Sequence, residues 1–243
     1  MSASLGGLVL ALADNKQLLG LRYAEWATRS PSLEADIGAA AMGLDDLGHA
    51  RVLYGCLEPL GDDPRGPERE SSADSYANLH FFDRPWSRWD EFVAANAVLD
   101  TAFSLVIEAC VEGSNEVLRT RLRKMLQEER FHFLHGRSWL RQGLDEADLD
   151  RAWREALAFF GPPQGDLDEL HSAGSLSRGR DDLNARLLER LELPAEPAEP
   201  ADGIDWSAWD AGRRRLEPGG IDSATFDMMR GLEERRFTPA GTS

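Results

Sequence analysis

The sequence predicts an all-α protein, a four-helix bundle with additional C-terminal helices, organised as a single domain over residues 1–243. Three observations lead there. Apolar residues recur at the helical period along most of the chain, and no convincing alternating strand appears. Two segments, Asp46-Leu-Gly-His49 and Glu129-Arg-Phe-His132, each set a carboxylate and a histidine three residues apart, on one face of a long helical pattern. A polar connection rich in Gly, Pro and Asp, at about residues 61–86, separates two helical hairpins.

The elements follow in order. The first helix is expected at about 4–28 and the second at about 33–60. Ser30-Pro31-Ser32 breaks them, with Ser32 as the cap and Glu34 and Asp36 favourable in the first turn. The third helix is expected at about 87–112 and the fourth at about 115–142, joined by Gly113-Ser114. These four form the core bundle, about residues 4–142. A fifth helix, about 145–160, stops at Gly161-Pro162-Pro163, and a sixth lies near 179–192. Residues 194–203 read as a stiff Pro/Glu-rich linker, and a last helix covers about 222–236.

Composition narrows the function. Of the 243 residues, 42% are hydrophobic and 29% charged, which is ordinary for a globular protein. The 27 basic residues stand against 43 acidic ones, a formal charge of −16, so nucleic acid and anionic membrane surfaces are poor partners. Arg119, Arg121, Arg123 and Lys124 form one basic run, which reads first as a solvated helix face. Cys56 and Cys110 have no metal-binding or redox spacing and read as core residues. The apolar stretch Leu8–Ala13 is too short for a signal peptide or a membrane span, so a cytoplasmic location is expected.

The candidate chemistry lies on the inward faces of the bundle. Asp46 and His49 align with Met42 and Leu53; Glu129 and His132 align with Met125 and Leu140; Asp100 aligns with Val93, Phe103 and Ile107; Lys16 aligns with Val9, Leu12 and Tyr23. All six interrupt apolar stripes, so they must meet one another, a metal or water. Lys16 and Asp46 each lie about 15 residues from the first turn, as Asp100 and Glu129 do from the second. At 1.5 Å per residue all sit roughly 22 Å from the turns, in one mid-bundle layer. Two carboxylate–histidine pairs plus a carboxylate from each of two further helices are the ligand set of ferritin-like diiron bundles, and the long crossover fits that topology. A buried ion-pair network without metal is the competing reading. Lys16 stands where the remaining carboxylate belongs, and a protonated lysine cannot ligate iron.

Leu12-Ala-Asp-Asn-Lys16, Glu25-Trp26, Ser30-Pro-Ser-Leu-Glu-Ala-Asp-Ile37, Leu44-Asp-Asp-Leu-Gly-His-Ala-Arg51, Asp100, Glu128-Glu-Arg-Phe-His132 and Trp139-Leu-Arg141 together strongly resemble the bacterial phenylacetyl-CoA epoxidase family. The likeness covers about residues 5–142 well, and the last helix weakly. It implies one of two related ferritin-like subunits. One carries two irons; the other lacks the metal centre, pairs with the first and supports it. With a separate reductase they add an oxygen atom to the aromatic ring of a CoA thioester.

Leu12-Ala-Asp-Asn15 and Glu25-Trp26 resemble the supporting subunit. Asp46, His49, Asp100, Glu129 and His132 match the catalytic pattern; at His49 the supporting subunit tends to have glutamine. The catalytic subunit's first-helix glutamate aligns with Lys16. The expectation is therefore a supporting subunit that binds a catalytic homologue. The alternative is a diiron or altered-metal oxygenase, a homo-oligomer or part of a complex, with Lys16 as an atypical catalytic or charged neighbour. A ferritin-like metal store or inert scaffold is a third, weaker class.

Overall fold

The computed structural model describes residues 4–64, 72–193 and 203–237. Its elements are α1 (Leu5–Glu25), α2 (Leu33–Leu60), α3 (Trp89–Glu112), α4 (Glu116–Arg121), α5 (Met125–Leu140), α6 (Glu146–Phe160), α7 (Asp166–Ser172), α8 (Arg180–Leu191) and α9 (Ser223–Phe237). Among the described residues there is no strand, only an isolated antiparallel bridge between Asp210 and Arg215. The expected all-α bundle with extra C-terminal helices is what forms. The anticipated linker falls almost entirely on 194–202, outside the described residues.

The first hairpin is built by local signals and close packing. Ser4 caps α1 by accepting from Gly7 N, and Ser32 caps α2 by accepting from Ala35 N. A left-handed Gly61, φ 68°, ends α2 two residues after Pro59. The two helices nearly touch at Gly20 and Gly43, where a Cβ on Gly20 would lie 2.9 Å from Gly43 O. Asp14 and Asn15 on α1 hold the crossover. Asp14 accepts from Ala77 N at 2.7 Å, while Asn15 donates to Ala77 O at 3.1 Å and accepts from Leu79 N at 2.9 Å. This clamp gives Leu12-Ala-Asp-Asn15 a structural role.

Helix α3 is long and apolar enough by composition to cross a membrane, but 94% of its apolar window is buried inside the protein, so it is the central core helix. Its middle turn, Ala95–Asp100, is π-helical, and nothing in its sequence announced that. The expected fourth helix is also corrected. It breaks at residues 122–124 into α4 and α5, where Met125 N bonds Leu122 O in a tight turn. The break lets Leu122 and Met125 both point inward. Helix α5 then packs directly on the π turn: a Cβ on Gly136 would lie 2.8 Å from Ala97 Cα.

The C-terminal part is tied to the bundle largely through arginines. Fully buried Arg22 donates to Thr225 Oγ1 at 2.8 Å. Arg214 Nε donates to Phe159 O at 2.8 Å, its Nη1 pairs with Asp166, and Arg215 Nη2 meets Asp83 Oδ2 at 2.7 Å. Arg190 holds both oxygens of Glu108 at 2.7 Å. The short α7, which the sequence pattern did not announce, supplies Asp166 to this set.

Candidate functional site

The six residues singled out in the sequence meet in one buried layer. Each is at most 3% exposed. Lys16 Nζ lies at the centre, 2.9 Å from Asp46 Oδ1, 2.5 Å from Glu129 Oε1 and in short contact with Asp100 Oδ1. An ammonium has three N–H donors, and here each has its own carboxylate. The remaining acceptors of two of those carboxylates are used. Tyr23 donates to Asp100 Oδ2 at 3.1 Å, and Ser104 donates to Glu129 Oε2 at 2.6 Å. Of the three carboxylates, only Asp46 keeps an oxygen, Oδ2, with no hydrogen-bond partner among the described residues.

The histidines flank this centre. His132 Nδ1 lies 3.1 Å from Asp100 Oδ2, with Nε2 turned toward Asp45 at 3.4 Å. His49 Nδ1 lies 2.8 Å from Glu129 Oε1, and its Nε2 meets Glu128 Oε2 at 2.8 Å, near the protein surface.

Electrostatics follow from this geometry. Burial opposes the charge on Lys16, but Asp100, Asp46 and Glu129 outweigh it and hold the amine well above its usual range. Burial likewise opposes charge on the imidazoles, yet Asp46 and Glu129 bring His49 up to about 10, and Asp46 and Asp100 bring His132 up to about 9. Burial would raise Glu129, but Lys16 and His49 hold it well below the carboxylate range; burial with Asp46 and Glu129 pushes Asp100 up. Lys16, His49 and His132 thus face the carboxyl groups of Asp46, Asp100 and Glu129 within one buried layer.

Tyr23 and Ser104 were not selected from the sequence as site residues. The signal was present: Tyr23 is two turns from Lys16 on the same stripe, and Ser104 one turn from Asp100. His135 lies beside the layer. Its Nδ1 bonds Asn96 Oδ1 at 2.9 Å, and burial together with the charge on His132 pushes it down to about 4.

Asp46, Asp100, Glu129 and His132 offer ligand atoms within 4.8 Å of one another, a grouping of the kind that holds metal ions. The residues present do not fit one. Lys16 Nζ occupies the point where the carboxylates converge and takes one oxygen from each of Asp46, Asp100 and Glu129, and a protonated amine cannot ligate a metal.

Two helical hairpins joined by a crossover, with a layer of carboxylates and imidazoles at mid-bundle, define a ferritin-like protein. More specifically, the chain belongs to the phenylacetic acid catabolic protein family, whose model matches residues 2–198. It is similar to the C subunit of the 1,2-phenylacetyl-CoA epoxidase of Escherichia coli K12, at 26% identity over 175 residues, which is 68% of each chain.

Proposed function

We propose that the chain is the supporting subunit of a multicomponent oxygenase of the phenylacetyl-CoA epoxidase type, and that it acts by binding a catalytic ferritin-like homologue rather than by holding iron itself. One observation carries this reading: Lys16 takes the cation position among Asp46, Asp100 and Glu129. The likeness to the Escherichia coli epoxidase component and the first-hairpin residues support it.

In this reading Lys16, Asp46, His49, Asp100, Glu129 and His132 form a charge-balanced lock. The lock joins α1, α2, α3 and α5 at one level, with Tyr23 and Ser104 fixing the orientation of two carboxylates. The chain contributes a rigid helical body. Oxygen chemistry on the CoA thioester belongs to the catalytic partner, with electrons from a separate reductase.

Metal analysis of the purified full-length chain, alone and with its partner, tests the proposal. The expected result is far less than one iron per chain in the isolated protein, and the same iron content per catalytic subunit with or without this chain. Close to two irons per chain, with an oxo-bridged absorption band, would overturn it and favour the diiron alternative.

A further inference from the structure

The C-terminal arm, residues 203–222, is fastened to the bundle at a tight turn. Asp210 N donates to Arg215 O at 2.8 Å, and Asp210 Oδ1 accepts from Gly212 N at 2.9 Å and Arg213 N at 3.1 Å. The turn sends three successive arginines to three places. Arg213 Nε donates to Tyr76 O on the crossover at 3.0 Å. Arg214 enters the end of α6, where it donates to Phe159 O and Phe160 O and pairs with Asp166. Arg215 pairs with Asp83 on the crossover. Arg214 and Arg215 are both buried. Arg214 also holds a φ of 53°, a left-handed backbone uncommon for any residue but glycine. Such a conformation persists only while its surroundings over-determine it. The anchors therefore hold the turn against its own backbone preference.

The Arg215 anchor has no slack. A guanidinium has five N–H donors. Nε donates to Glu217 O at 2.7 Å, and Nη1 serves Asn78 O at 3.3 Å and Asp83 Oδ1 at 3.1 Å. Nη2 serves Asp83 Oδ2 at 2.7 Å and turns its other hydrogen toward Pro218 O at 3.5 Å. His80 Nδ1 lies 2.9 Å from Asp83 Oδ2. Beside this set lies Glu155, buried on α6. The charged groups facing it are His80 and Asp83 from the crossover, and Arg215 and Glu217 from the arm. On its own helix, Arg151 is turned to Glu91 at 2.8 Å and Asp148 to Arg88 at 2.6 Å.

Protonated, Glu155 adds no charge to this cluster. Ionised, it becomes a second buried carboxylate beside a guanidinium whose donors are already used. It then needs water or a share of Arg215, and either one breaks the hold on Asp83. We propose that residues 203–222 form a proton-controlled strap, in which protonated Glu155 lets the Arg215–Asp83 anchor close and ionised Glu155 lifts the arm from the crossover and α6. Trp209, whose indole donates to Ala158 O at 2.9 Å, leaves with it, and Tyr76 and the end of α6 are bared. The three arginines anchor to the crossover, α6 and α7, not to the helices that carry the Lys16 layer, so the strap does not depend on whether that layer holds metal.

The test is hydrogen–deuterium exchange of the full-length chain, followed by NMR between pH 6 and pH 8, with each rate divided by the intrinsic rate at that pH. In the closed arm Glu155 is pushed up to about 7 from an ordinary 4.5, to which a lifted arm returns it. The proton is held more tightly in the closed form, so opening grows as pH rises, about tenfold from pH 6 to pH 8 and mostly below pH 7. The amides of Asp210 and Asp222, bonded to Arg215 O and Asp83 O, should show that rise. They should also stay at least tenfold less protected than amides in the middle of α1, as expected for an arm that opens without global unfolding. Glu155→Gln should abolish the pH dependence and leave the arm better protected than wild type at pH 8. Tryptic cleavage of the wild type after Arg213, Arg214 or Arg215, divided by the rate on a short peptide of the same sequence, reads the same opening without a variant and should rise by the same factor. Arm protection and cleavage that do not change with pH overturn the strap. So do arm amides that exchange at the rate of the α1 amides at every pH, because the arm then opens only with the whole fold. A pH dependence that survives in Glu155→Gln overturns it as well, since another group would be titrating.

Discussion

Replacing Lys16 by methionine keeps the length and apolar bulk of the side chain and removes only the charge. Three buried carboxylates then face two imidazoles, and the ammonium hydrogen bonds to Asp46, Asp100 and Glu129 are gone. Removing one partner from a buried ion pair costs about 3–5 kcal/mol, mostly because the remaining charge is left uncompensated. Lys16 is fully buried, so solvent screening does not reduce the figure. In a chain of this size each kcal/mol lowers the melting temperature by roughly 2–4 °C, so Lys16→Met should melt about 6–20 °C lower. Differential scanning calorimetry and urea unfolding at pH 7 measure this. The double variant Lys16→Met/Asp100→Asn removes one of the stranded charges and should recover about 0.5–3 kcal/mol of the loss. If Lys16→Met is within about 1 kcal/mol of wild type, or if Asp100→Asn restores nothing, Lys16 is not the counter-ion of this layer and the lock is refuted.

Two further outcomes follow from the packing. Glu155 on α6 is pushed up to about 7, chiefly by burial, against an ordinary value of 4.5. Between those values the folded state holds the proton more tightly than the unfolded one, so ionisation destabilises the fold as pH rises through about 4.5–7. Glu155→Gln should therefore stabilise the protein at pH 8, by up to about 3 kcal/mol, and by much less at pH 4.5; equal effects at both pH values would contradict this. Gly136→Ala places a methyl 2.8 Å from the Ala97 backbone, and should cost about 1–3 kcal/mol by forcing α5 away from the π turn. An unchanged urea midpoint would show that α5 does not depend on that approach.

The sequence was most legible where a charge had to interrupt an apolar stripe. Lys16, Asp46, Asp100 and Glu129 stood out because burying any of them alone is costly, and equal distances from the hairpin turns placed them in one layer. Tyr23 and Ser104 were less visible because a tyrosine or serine on an inward face is ordinary packing until its partner is known. The π turn at Ala95–Asp100 had no glycine or proline to mark it. It depends on what packs against it from α5, Gly136 and the backbone carbonyl of His132, to which the turn's own Asn96 side chain donates at 3.2 Å. The break at 122–124 had the same origin, since tertiary burial of Leu122 and Met125 overrode a continuous helical pattern. Arg214 and Arg215 could not be read as anchors from sequence, because their acceptors lie far off along the chain.

The layer also bears on what a supporting subunit keeps from a diiron architecture. Two metal ions among carboxylates and imidazoles do two physical things: they neutralise buried charge, and they hold four helices at fixed spacing. In the supporting-subunit reading, Lys16 with His49 and His132 does both without coordination chemistry. It is one residue in the position of a carboxylate, and it changes the local charge by two relative to a glutamate. The remaining groups can then stay in place, because each still has a counter-charge. A direct change to an apolar centre would need Asp46, Asp100 and Glu129 replaced together, since any one left alone would be an unpaired buried charge. In the supporting-subunit reading, the lysine lets the bundle retain its ligand-like residues and the spacing of the helices that carry them.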